Sequence, residues 1–361
     1  MQVLFVHTIG KRKFGGGERW VVQAASGLQQ LGHKTYVVSK SGSMLLKKAE
    51  EKGIAVKAMN IFSDVSLYHA IRLAGFIRKN KIDVVISKRR DLAVAGLAAR
   101  LGGRPAVIVR SGAPPQKSLR KHVFLIKDLA HGLVTNTHTI KDLYKANGLA
   151  VDDFVRVIYN GVTIDDEVAG FNFQRLFPGK KIILLAGRLN ASHKGYLYLI
   201  QAMSLLRAEL AGLHFYVLGD GKDRKKLIGF ARQNGVSGSI TFAGYVSQAA
   251  AYMKACDIFM HVSLYEGMPN AAMEAMAYAR PVIMTDVNGA RELSDGGKYA
   301  LIIPPANAEA IAEALKTMLS EPAKYSMMAE GSKMHVRNSF SLQNMISQLE
   351  SFIKEKSKAA K

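Results

Sequence analysis

The sequence has almost no cysteine, no long apolar run and no leader-like start, and each absence excludes a class of protein. Cys256 is the single cysteine among 361 residues, so an intramolecular disulfide is impossible, which suits a reducing cytosol. No apolar run approaches the roughly 20 residues that a membrane-spanning helix needs. The opening MQVLFVHT has no charged n-region and no small-residue cleavage site, and we interpret it as a first strand rather than a signal peptide. The chain is 48% hydrophobic, which is ordinary for a globular protein, and its length favours two domains.

Acidic residues are scarce, and the shortage is concentrated near the start of the chain. The sequence has 50 Lys and Arg against 28 Asp and Glu, a net charge of +22. Residues 1–130 hold 24 of these cations and 7 of the anions, a net +17, whereas the remainder carries +5. Such a charge favours anionic partners: phosphate groups, nucleic acid or an acidic membrane surface.

Short β-rich apolar runs alternate with amphipathic helical stretches. This alternation predicts parallel sheets covered by helices, and two successive series predict two doubly wound, Rossmann-like α/β domains facing across a cleft. We place these domains at 1–165 and 166–340, because the polar stretch 165–181 ends in Pro-Gly and is typical of a linker. The helical segment at about 341–361 could pack back on the first domain. The predicted strands are QVLFVH, KTYVVS, VVIS, AVIVR, GLVTN and VRVIYN in the first series and KIILLAGR, LHFYVLGD, SITFAG, DIFMHVS, PVIMTD and ALIIP in the second.

Loops at the carboxyl ends of the predicted strands are the candidate ligand sites, because doubly wound sheets bind ligands there. Gly15, Gly16 and Gly17 follow the first strand and precede a helix whose N-terminus could face an anion, although a flexible turn explains them equally well. Arg188 and Lys194 follow strand IILLAG and could clamp a diphosphate, the alternative being a solvated basic loop. The loop GDGKDR is interpreted as a turn and helix cap rather than a metal site, because no third ligand accompanies its two aspartates.

The stretch SLYEGMPNAAMEAMAYARP holds two carboxylates, Glu266 in a turn after a strand and Glu274 in the second turn of the next helix. At 1.5 Å per residue they lie up to roughly 12 Å apart, which is about the span from a sugar ring across a diphosphate to a ribose. Carboxylates accept hydrogen bonds from paired hydroxyls, so each could hold one sugar while the helix N-terminus faces the phosphates. The alternative, two surface glutamates, is weakened by the glycine-flanked turn around Glu266.

The same stretch resembles the E-x7-E signature of retaining, nucleotide-sugar-dependent glycosyltransferases of family 4, which have the GT-B fold. GGGER, VRVIYNGVTID, AGRLNASHKG, LGDGKDR, FAGYV and VNGARELSDGG resemble further motifs of that family in the same order. The resemblance spans nearly the whole chain and is most specific over residues 155–305. It implies an enzyme that moves a hexose from a nucleotide-sugar, with a mild preference for a UDP-sugar, to a glycan or glycolipid acceptor.

The resemblance implies a role for each matching residue. Arg188 and Lys194 would bind the donor diphosphate, and Glu266 would bind hydroxyls of the transferred sugar, so these three carry the catalysis. Glu274 would bind the ribose. The remaining donor contacts would come from Gly16 and Gly17 at the distal phosphate, from the backbone of Gly267, Met268, Pro269 and Asn270 near the sugar and phosphate, and from Gly244, Tyr245 and Val246 near the base.

The family is also metal-independent, and the chain has no apolar strand that ends in Asp-x-Asp. We therefore expect neither a metal nor a cofactor. Arg188, Lys194 and the helix N-terminus would instead neutralise the leaving diphosphate. The implied mechanism is front-face transfer with retention, in which the departing phosphate helps to take the acceptor proton and no side chain acts as a nucleophile.

The chain departs from the family after its fourth strand. Members often have a histidine there, within the donor pocket, but this sequence reads VVISKRRDL and has Lys88 or a neighbour in that place. Lys88, Arg89 and Arg90 could serve an anionic acceptor, or they could form a basic surface loop. His7, at the end of the first strand, is a further candidate for acceptor contact.

The segment PPQKSLRKHVFLIKDL reads as a basic amphipathic helix, which can lie on an anionic membrane surface. Because the N-terminal domain binds the acceptor in the resembled family, we expect a cytoplasmic protein held at the inner face of a bacterial plasma membrane. Its acceptor would be a lipopolysaccharide core or similar cell-envelope glycolipid, and the alternative is a soluble enzyme with a generally basic surface. The segment combines Lys117, Arg120, Lys121 and Lys127 with Leu119, Val123, Phe124 and Ile126.

Other functions stay open from the sequence alone. A basic nucleic-acid-binding protein fits the charge, but Trp20 is the only tryptophan and the basic half shows no helix-turn-helix and no aromatic-rich strands, so no nucleic-acid partner is expected. A non-catalytic subunit that binds a sugar nucleotide is another alternative. An epimerase or a phosphorylase is disfavoured, because epimerases lack the E-x7-E arrangement and no lysine signature for pyridoxal phosphate is visible.

Overall fold

A computed structural model describes residues 1–8, 14–63, 65–114 and 119–360. The chain forms two compact units, the first of Met1–Gly161 with Leu342–Lys361 and the second of Val162–Ser341. From the sequence we placed the boundary between the domains slightly later, at 165, and interpreted 165–181 as a linker. In the structure that stretch belongs to the second unit.

Aromatic packing explains why this stretch is not a free linker. The Phe171 ring stacks on Tyr252 with the ring centroids 4.2 Å apart, and Phe177 stacks on His214 at 3.6 Å. Burial lowers the pKa of His214 to about 4, with a smaller effect from Lys180. These contacts fix the entry of the chain into the second sheet.

In the described part of the first unit, seven parallel strands form one sheet in the order β3-β2-β1-β4-β5-β6-β7. The strands are β1 (Gln2–Val6), β2 (Lys34–Ser39), β3 (Ala55–Ala58), β4 (Val84–Lys88), β5 (Ala106–Ser111), β6 (Gly132–Thr135) and β7 (Val155–Val157). The helices between them are α1 (Gly16–Gln30), α2 (Met44–Glu50), α3 (Leu67–Lys79), α4 (Leu92–Gly102), α5 (Leu119–Leu129) and α6 (His138–Ala146). β3 was not predicted from the sequence.

In the second unit, six parallel strands form the sheet β10-β9-β8-β11-β12-β13 within the described residues. The strands are β8 (Lys181–Ala186), β9 (Leu213–Leu218), β10 (Ile240–Gly244), β11 (Ile258–His261), β12 (Val282–Thr285) and β13 (Leu301–Ile303). The helices are α7 (Ala191–Lys194), α8 (Tyr196–Leu205), α9 (Arg224–Gln233), α10 (Ala249–Ala255), α11 (Asn270–Ala277), α12 (Ala290–Leu293), α13 (Ala308–Ser320) and α14 (Pro322–Ser339). All six strands of the second predicted series are present.

The last helix, α15 (Leu342–Ala359), packs on the first unit. Glycines let it approach closely. A Cβ added at Gly27 would lie 2.5 Å from Ile346 Cγ1, and one added at Gly132 would lie 2.7 Å from Phe352. His33 Nε2 and Glu350 Oε1, 2.8 Å apart, link the helix to the loop before β2.

Both sheets reverse their strand order once, between β1 and β4 in the first unit and between β8 and β11 in the second. The loops that leave two neighbouring strands at such a switch point turn in opposite directions. A crevice therefore opens at the carboxyl ends of those strands. The loops after β1, β4, β8 and β11 are therefore the candidate ligand-binding loops.

Candidate functional site

Glu266 is the centre of a polar cluster at the switch point of the second sheet. Its Oε1 atom accepts a hydrogen bond from His261 Nε2 and another from Ser263 Oγ, both at 3.0 Å. Lys194 Nζ forms an ion pair with the same oxygen. Because a carboxylate only accepts hydrogen bonds, His261 carries a proton on Nε2. The sequence placed Lys194 and Glu266 at strand ends but did not identify His261 or Ser263.

The cluster keeps Glu266 ionised in a mostly buried position. Its side chain is 17% exposed, and burial by itself would raise its pKa. The hydrogen bond and charge of His261, together with Lys194, outweigh that effect and lower the pKa to about 2. A stable carboxylate of this kind is suited to accepting hydrogen bonds and is unsuited to donating a proton near neutral pH.

Lys194 reaches Glu266 because the chain turns sharply after it. Lys194 ends α7, and the next residue, Gly195, adopts a left-handed conformation with φ +63°. A Cβ at this position would lie 1.8 Å from the carbonyl oxygen of Val262, so only glycine lets the two loops approach. Leu264 N donates to His193 O at 2.8 Å, which ties the loop after β11 to α7.

Glycines also shape the carboxyl ends of β8, β9 and β10. Gly219 N donates to Gly244 O at 2.7 Å, and Gly187 N donates to Leu218 O at 2.9 Å. A Cβ at Gly219 would lie 2.1 Å from Gly187 O. Tyr245, just after Gly244, is 80% exposed. The ends of these three strands are therefore held together by close backbone contacts.

Arg188 lies exposed in the loop after β8. Within the described ranges its guanidinium has no hydrogen-bond or ion-pair partner, unlike Lys194, whose ammonium is engaged by Glu266. The two cations that the sequence grouped as one clamp therefore stand in different states. The Arg188 guanidinium can therefore bind an anion directly, whereas an anion that binds Lys194 would compete with Glu266 for the ammonium.

The second glutamate lies on α11, as the sequence predicted. α11 begins at Asn270, with Pro269 as the residue before its first turn, and Glu274 is half-buried in the second turn. Gly267, Met268 and Pro269 are buried between β11 and the helix. Asn288 Nδ2 donates to the carbonyl oxygen of Glu266 at 3.3 Å and so links this loop to the loop after β12.

The switch point of the first sheet is mostly satisfied by its own groups. Thr8 N donates to Asp91 Oδ2 at 2.9 Å, Thr8 Oγ1 donates to Asp91 Oδ1, and Lys88 Nζ donates to Thr8 O at 3.1 Å. Burial raises the pKa of Asp91. Arg89 differs, because its Nη1 atom is buried and has no hydrogen-bond partner among the described residues.

Glu18 closes the glycine-rich turn before α1. Gly15 N donates to Glu18 Oε2 at 2.8 Å, and His7 Nε2 lies 2.7 Å from Glu18 Oε1. Burial would raise the pKa of Glu18, but the contact with His7 leaves it lowered. The sequence suggested that the N–H groups of this turn are open to an anion, but that of Gly15 is taken. Gly16 opens the helix, and a Cβ at Gly17 would lie 3.5 Å from the His7 ring.

The basic segment of residues 114–129 has a different surface from the one expected. Lys117 lies outside the described residues. α5 buries Val123 and Ile126 in the core of the first unit and leaves Phe124, 71% exposed, as its strongly exposed apolar side chain. Two of the four apolar residues proposed to meet a membrane therefore cannot do so, because they pack inward.

A larger exposed apolar surface lies at the start of α3 and in the loop before it, and we call it the α3 patch. Cations border it: Lys40 Nζ lies 5.7 Å from the centroid of the Phe62 ring, and the Arg72 guanidinium lies 5.6 Å from that of Tyr68. The sequence did not single out this surface. Its members, each more than half exposed, are Phe62, Val65, Leu67, Tyr68 and Ile71.

The described ranges contain no group of three or more His, Cys, Asp or Glu side chains placed to hold a metal ion. They also contain no helix that is both long enough and apolar enough to cross a membrane.

Two protein-family profiles match the chain, one in each unit. Residues 14–166 match Glycosyltransferase Family 4, and residues 180–321 match Glycosyl transferases group 1. The loops after β8 and β11 and the whole Glu266 cluster lie within the second match.

Curated relatives match over part of their length. The lipopolysaccharide core biosynthesis glycosyltransferase LpsE of Rhizobium meliloti is 30% identical over 149 residues, which is 41% of this chain and 42% of that protein. An N-acetylgalactosaminyltransferase of Campylobacter jejuni that acts on a diphospho-undecaprenol acceptor is 26% identical over 166 residues, or 46% of this chain and 44% of its own. The match thus spans less than half the length of these relatives.

Solved structures match over nearly the whole chain. A glycosyltransferase from Rickettsia africae superposes with a TM-score of 0.85 at 22% identity and covers 98% of both chains. The Anabaena protein Alr3699/HepE, in complex with UDP and glucose, also gives 0.85 at 20% identity and covers 98% of this chain and 100% of its own. At such identities the likeness shows the fold. Together with the two profile matches, it establishes that the chain belongs to the group 1, family 4 glycosyltransferases and has their GT-B fold.

Proposed function

We propose that the protein is a retaining, metal-independent hexosyltransferase that uses a nucleotide-sugar donor, with a UDP-sugar favoured. The observation that carries this proposal is the Glu266 cluster at the switch point of the second sheet, with the exposed Arg188 at the end of the neighbouring strand. A fixed carboxylate suits sugar hydroxyls and a free guanidinium suits a diphosphate. The family match supplies the reaction type.

The proposed role of each side chain in binding the nucleotide-sugar depends on the contacts that it already makes. Arg188 would bind the diphosphate directly, because its guanidinium is exposed and has no partner in the described part of the chain. Lys194 would stabilise the same negative charge while keeping its link to Glu266, and the N-terminus of α11 would add its positive end. Glu274 would hold the ribose from the second turn of that helix. With these groups in place no metal is required to neutralise the leaving diphosphate.

The preference for UDP is supported by a structural neighbour. The Anabaena protein has been solved with UDP and with UDP-glucose. This chain offers Gly244, the exposed Tyr245 and Val246 at the carboxyl end of β10 for a flat base.

We further propose an anionic glycan or glycolipid acceptor in lipopolysaccharide core or cell-envelope polysaccharide synthesis. The name of the Rhizobium relative supports the pathway. The buried Nη1 of Arg89, which has no hydrogen-bond partner among the described residues, supports an anionic group, since a buried donor without a partner costs free energy. Lys88 and His7 lie at the same sheet end but are engaged by Thr8 and Glu18.

Attachment to the inner face of a bacterial plasma membrane is part of this proposal. The charge of the first 130 residues and the α3 patch support it, because exposed apolar side chains bordered by cations suit an anionic lipid surface. In this proposal the α3 patch replaces the apolar face of α5, which is largely buried.

A thermal-shift panel with EDTA present tests the donor site. The purified protein is heated alone and with UDP, GDP, ADP and their common sugar conjugates. A ligand at 100 times its dissociation constant adds about 2.7 kcal/mol of stability, which is readily visible. Stabilisation by one nucleotide without metal supports the proposal, and no stabilisation by any of them contradicts it.

Transfer to an acceptor then separates an enzyme from a binding subunit. The stabilising nucleotide-sugar is incubated with cell-envelope glycolipid extract, and the anomeric configuration of the product is read by NMR. Product with the configuration of the donor supports retention, and inversion contradicts it. Tight donor binding with no transfer and no slow hydrolysis would favour the non-catalytic alternative.

A further inference from the structure

The hydrogen bonds of Glu266 are unevenly divided between its two carboxylate oxygens. His261 Nε2, Ser263 Oγ and Lys194 Nζ all contact Oε1. Oε2 makes no hydrogen bond or ion pair anywhere in the described part of the chain. It is also not a buried unsatisfied atom, so it is accessible at the site.

Oε1 has more partners than it needs. A carboxylate oxygen has two lone-pair sites, and His261 and Ser263 can fill both. The ion pair with Lys194 is then an additional charge contact rather than the bond that fixes the side chain. If the diphosphate of a donor draws the ammonium away, the carboxylate still has two anchors.

Both anchors are rigid. His261 is the last residue of β11, 6% exposed, and pairs with Met284 of β12. Ser263 is 1% exposed, and its carbonyl oxygen accepts a hydrogen bond from Thr285 Oγ1 at 2.6 Å. Groups held this way lose little entropy when they orient a neighbour, which is how a preorganised site is supported.

We propose that His261 and Ser263 are positioning residues that hold Glu266 by Oε1 and so present Oε2 to a hydroxyl group of the transferred sugar. This inference rests on the proposed function, because it takes the ligand to be a nucleotide-sugar. Neither residue touches the sugar. Their effect passes through Glu266 and concerns the sugar half of the donor, leaving the nucleotide half to other groups.

A purely structural role predicts something different. If His261 and Ser263 served only to satisfy a buried carboxylate, their loss would lower stability and weaken the nucleotide and the nucleotide-sugar alike. A positioning role predicts selective weakening of the nucleotide-sugar. The ratio of the two dissociation constants is therefore the decisive measurement.

The experiment uses the full chain with EDTA and calorimetric titration of three ligand series: UDP with UDP-glucose, UDP-galactose and UDP-N-acetylglucosamine, GDP with GDP-mannose, and ADP with ADP-glucose. His261→Leu removes the donor, whereas His261→Gln keeps an amide N–H at a similar reach. Ser263→Ala removes the second anchor, and Ser320→Ala, at the exposed end of α13, is its matched control. Thermal melting reports the fold of each variant.

We expect His261→Leu to weaken the best nucleotide-sugar about tenfold, since a hydrogen bond to a charged group contributes about 1.5 kcal/mol or more. The bare nucleotide should change less than about twofold. His261→Gln should restore most of the loss, and Ser263→Ala should show a smaller loss with the same selectivity. If His261→Leu does not fold, the other two variants still decide the question.

Equal weakening of nucleotide and nucleotide-sugar would overturn the inference, as would a His261→Gln variant no better than His261→Leu, or wild-type ratios in all the variants. These results would leave the proposed function intact, because wild-type binding would still be seen. If the wild-type protein binds none of the eight ligands, the proposed function fails and the inference fails with it.

Discussion

The ionised state of Glu266 predicts a pH-dependent contribution to stability that can be measured without any ligand. Glu266→Gln removes the charge and keeps the size of the side chain. The drop of the pKa from 4.5 to about 2 corresponds to about 3 kcal/mol of extra stability for the folded protein. Because the folded-state pKa is the lower one, this contribution is fully present above pH 4.5 and is lost as the pH falls towards 2.

For a unit of this size, about 3 kcal/mol corresponds to roughly 6–12 °C in melting temperature. The assay compares wild type and Glu266→Gln by differential scanning calorimetry at pH 7 and pH 3. We expect a clear deficit for the variant at pH 7 and one less than half as large at pH 3. Glu313→Gln, on the exposed side of α13, is the control and should match wild type at both values. Equal stability of Glu266→Gln and wild type at pH 7, or a deficit that does not change with pH, would refute the reasoning.

Three further predictions concern other parts of the chain. Arg188→Ala should lower transfer by roughly 10²-fold or more in a product assay and leave the melting temperature unchanged, because the exposed guanidinium has no partner among the described residues; unimpaired transfer would remove Arg188 from the proposed donor site. Gly27→Ala should destabilise the first unit by about 1–3 kcal/mol in urea titration, because the new Cβ would lie 2.5 Å from an isoleucine of α15, whereas Gly75→Ala, with nothing within 4 Å, should not. The double variant Phe62→Asp, Ile71→Asp should reduce co-sedimentation with vesicles containing phosphatidylglycerol, and unchanged sedimentation would contradict a membrane role for the α3 patch.

The sheets were largely predictable because parallel strands covered on both faces read as continuous apolar runs. All six strands of the second series show this pattern. β3 was missed because its four residues are mostly exposed and its sequence, AVKA, contains a lysine, as edge strands often do. The linker was misplaced for a related reason. The stretch 165–181 looks polar, but its spaced phenylalanines pack on the second unit.

The site was predictable at the level of which loops take part. Strand ends, glycines and charged side chains pointed to Lys194, Arg188 and Glu266. A usable signal for His261 and Ser263 was present, since residues i and i+2 at a strand end share one face and a glutamate follows three residues later. What the sequence could not give is that three donors converge on one oxygen. That depends on Gly195, whose close approach to β11 is a property of the folded loops.

The surface that would face a membrane could not be predicted in the same way. The α5 segment has the expected composition of a membrane helix, yet Val123 and Ile126 are needed by the core. A pattern of alternating basic and apolar residues does not say how much of the apolar face a domain uses for its own packing. The α3 patch is the opposite situation, because its apolar side chains do not pack into the core and stay exposed.

The two switch points of this chain have the same topology but differ in which polar group is left over. In the first sheet, Thr8 pairs with Asp91 and Lys88, and the buried Nη1 of Arg89 is a cationic donor that has no hydrogen-bond partner among the described residues. In the second sheet, three donors contact one oxygen of Glu266, whereas Oε2 of that residue and the guanidinium of Arg188 have no hydrogen-bond or ion-pair partner within the described ranges. A leftover donor suits an anionic acceptor group, whereas a leftover acceptor beside a cation suits a hydroxyl next to a phosphate. We therefore expect the first unit to bind the acceptor and the second unit to bind the nucleotide-sugar. This expectation would fail if an anionic glycan protected the second unit rather than the first from hydrogen exchange.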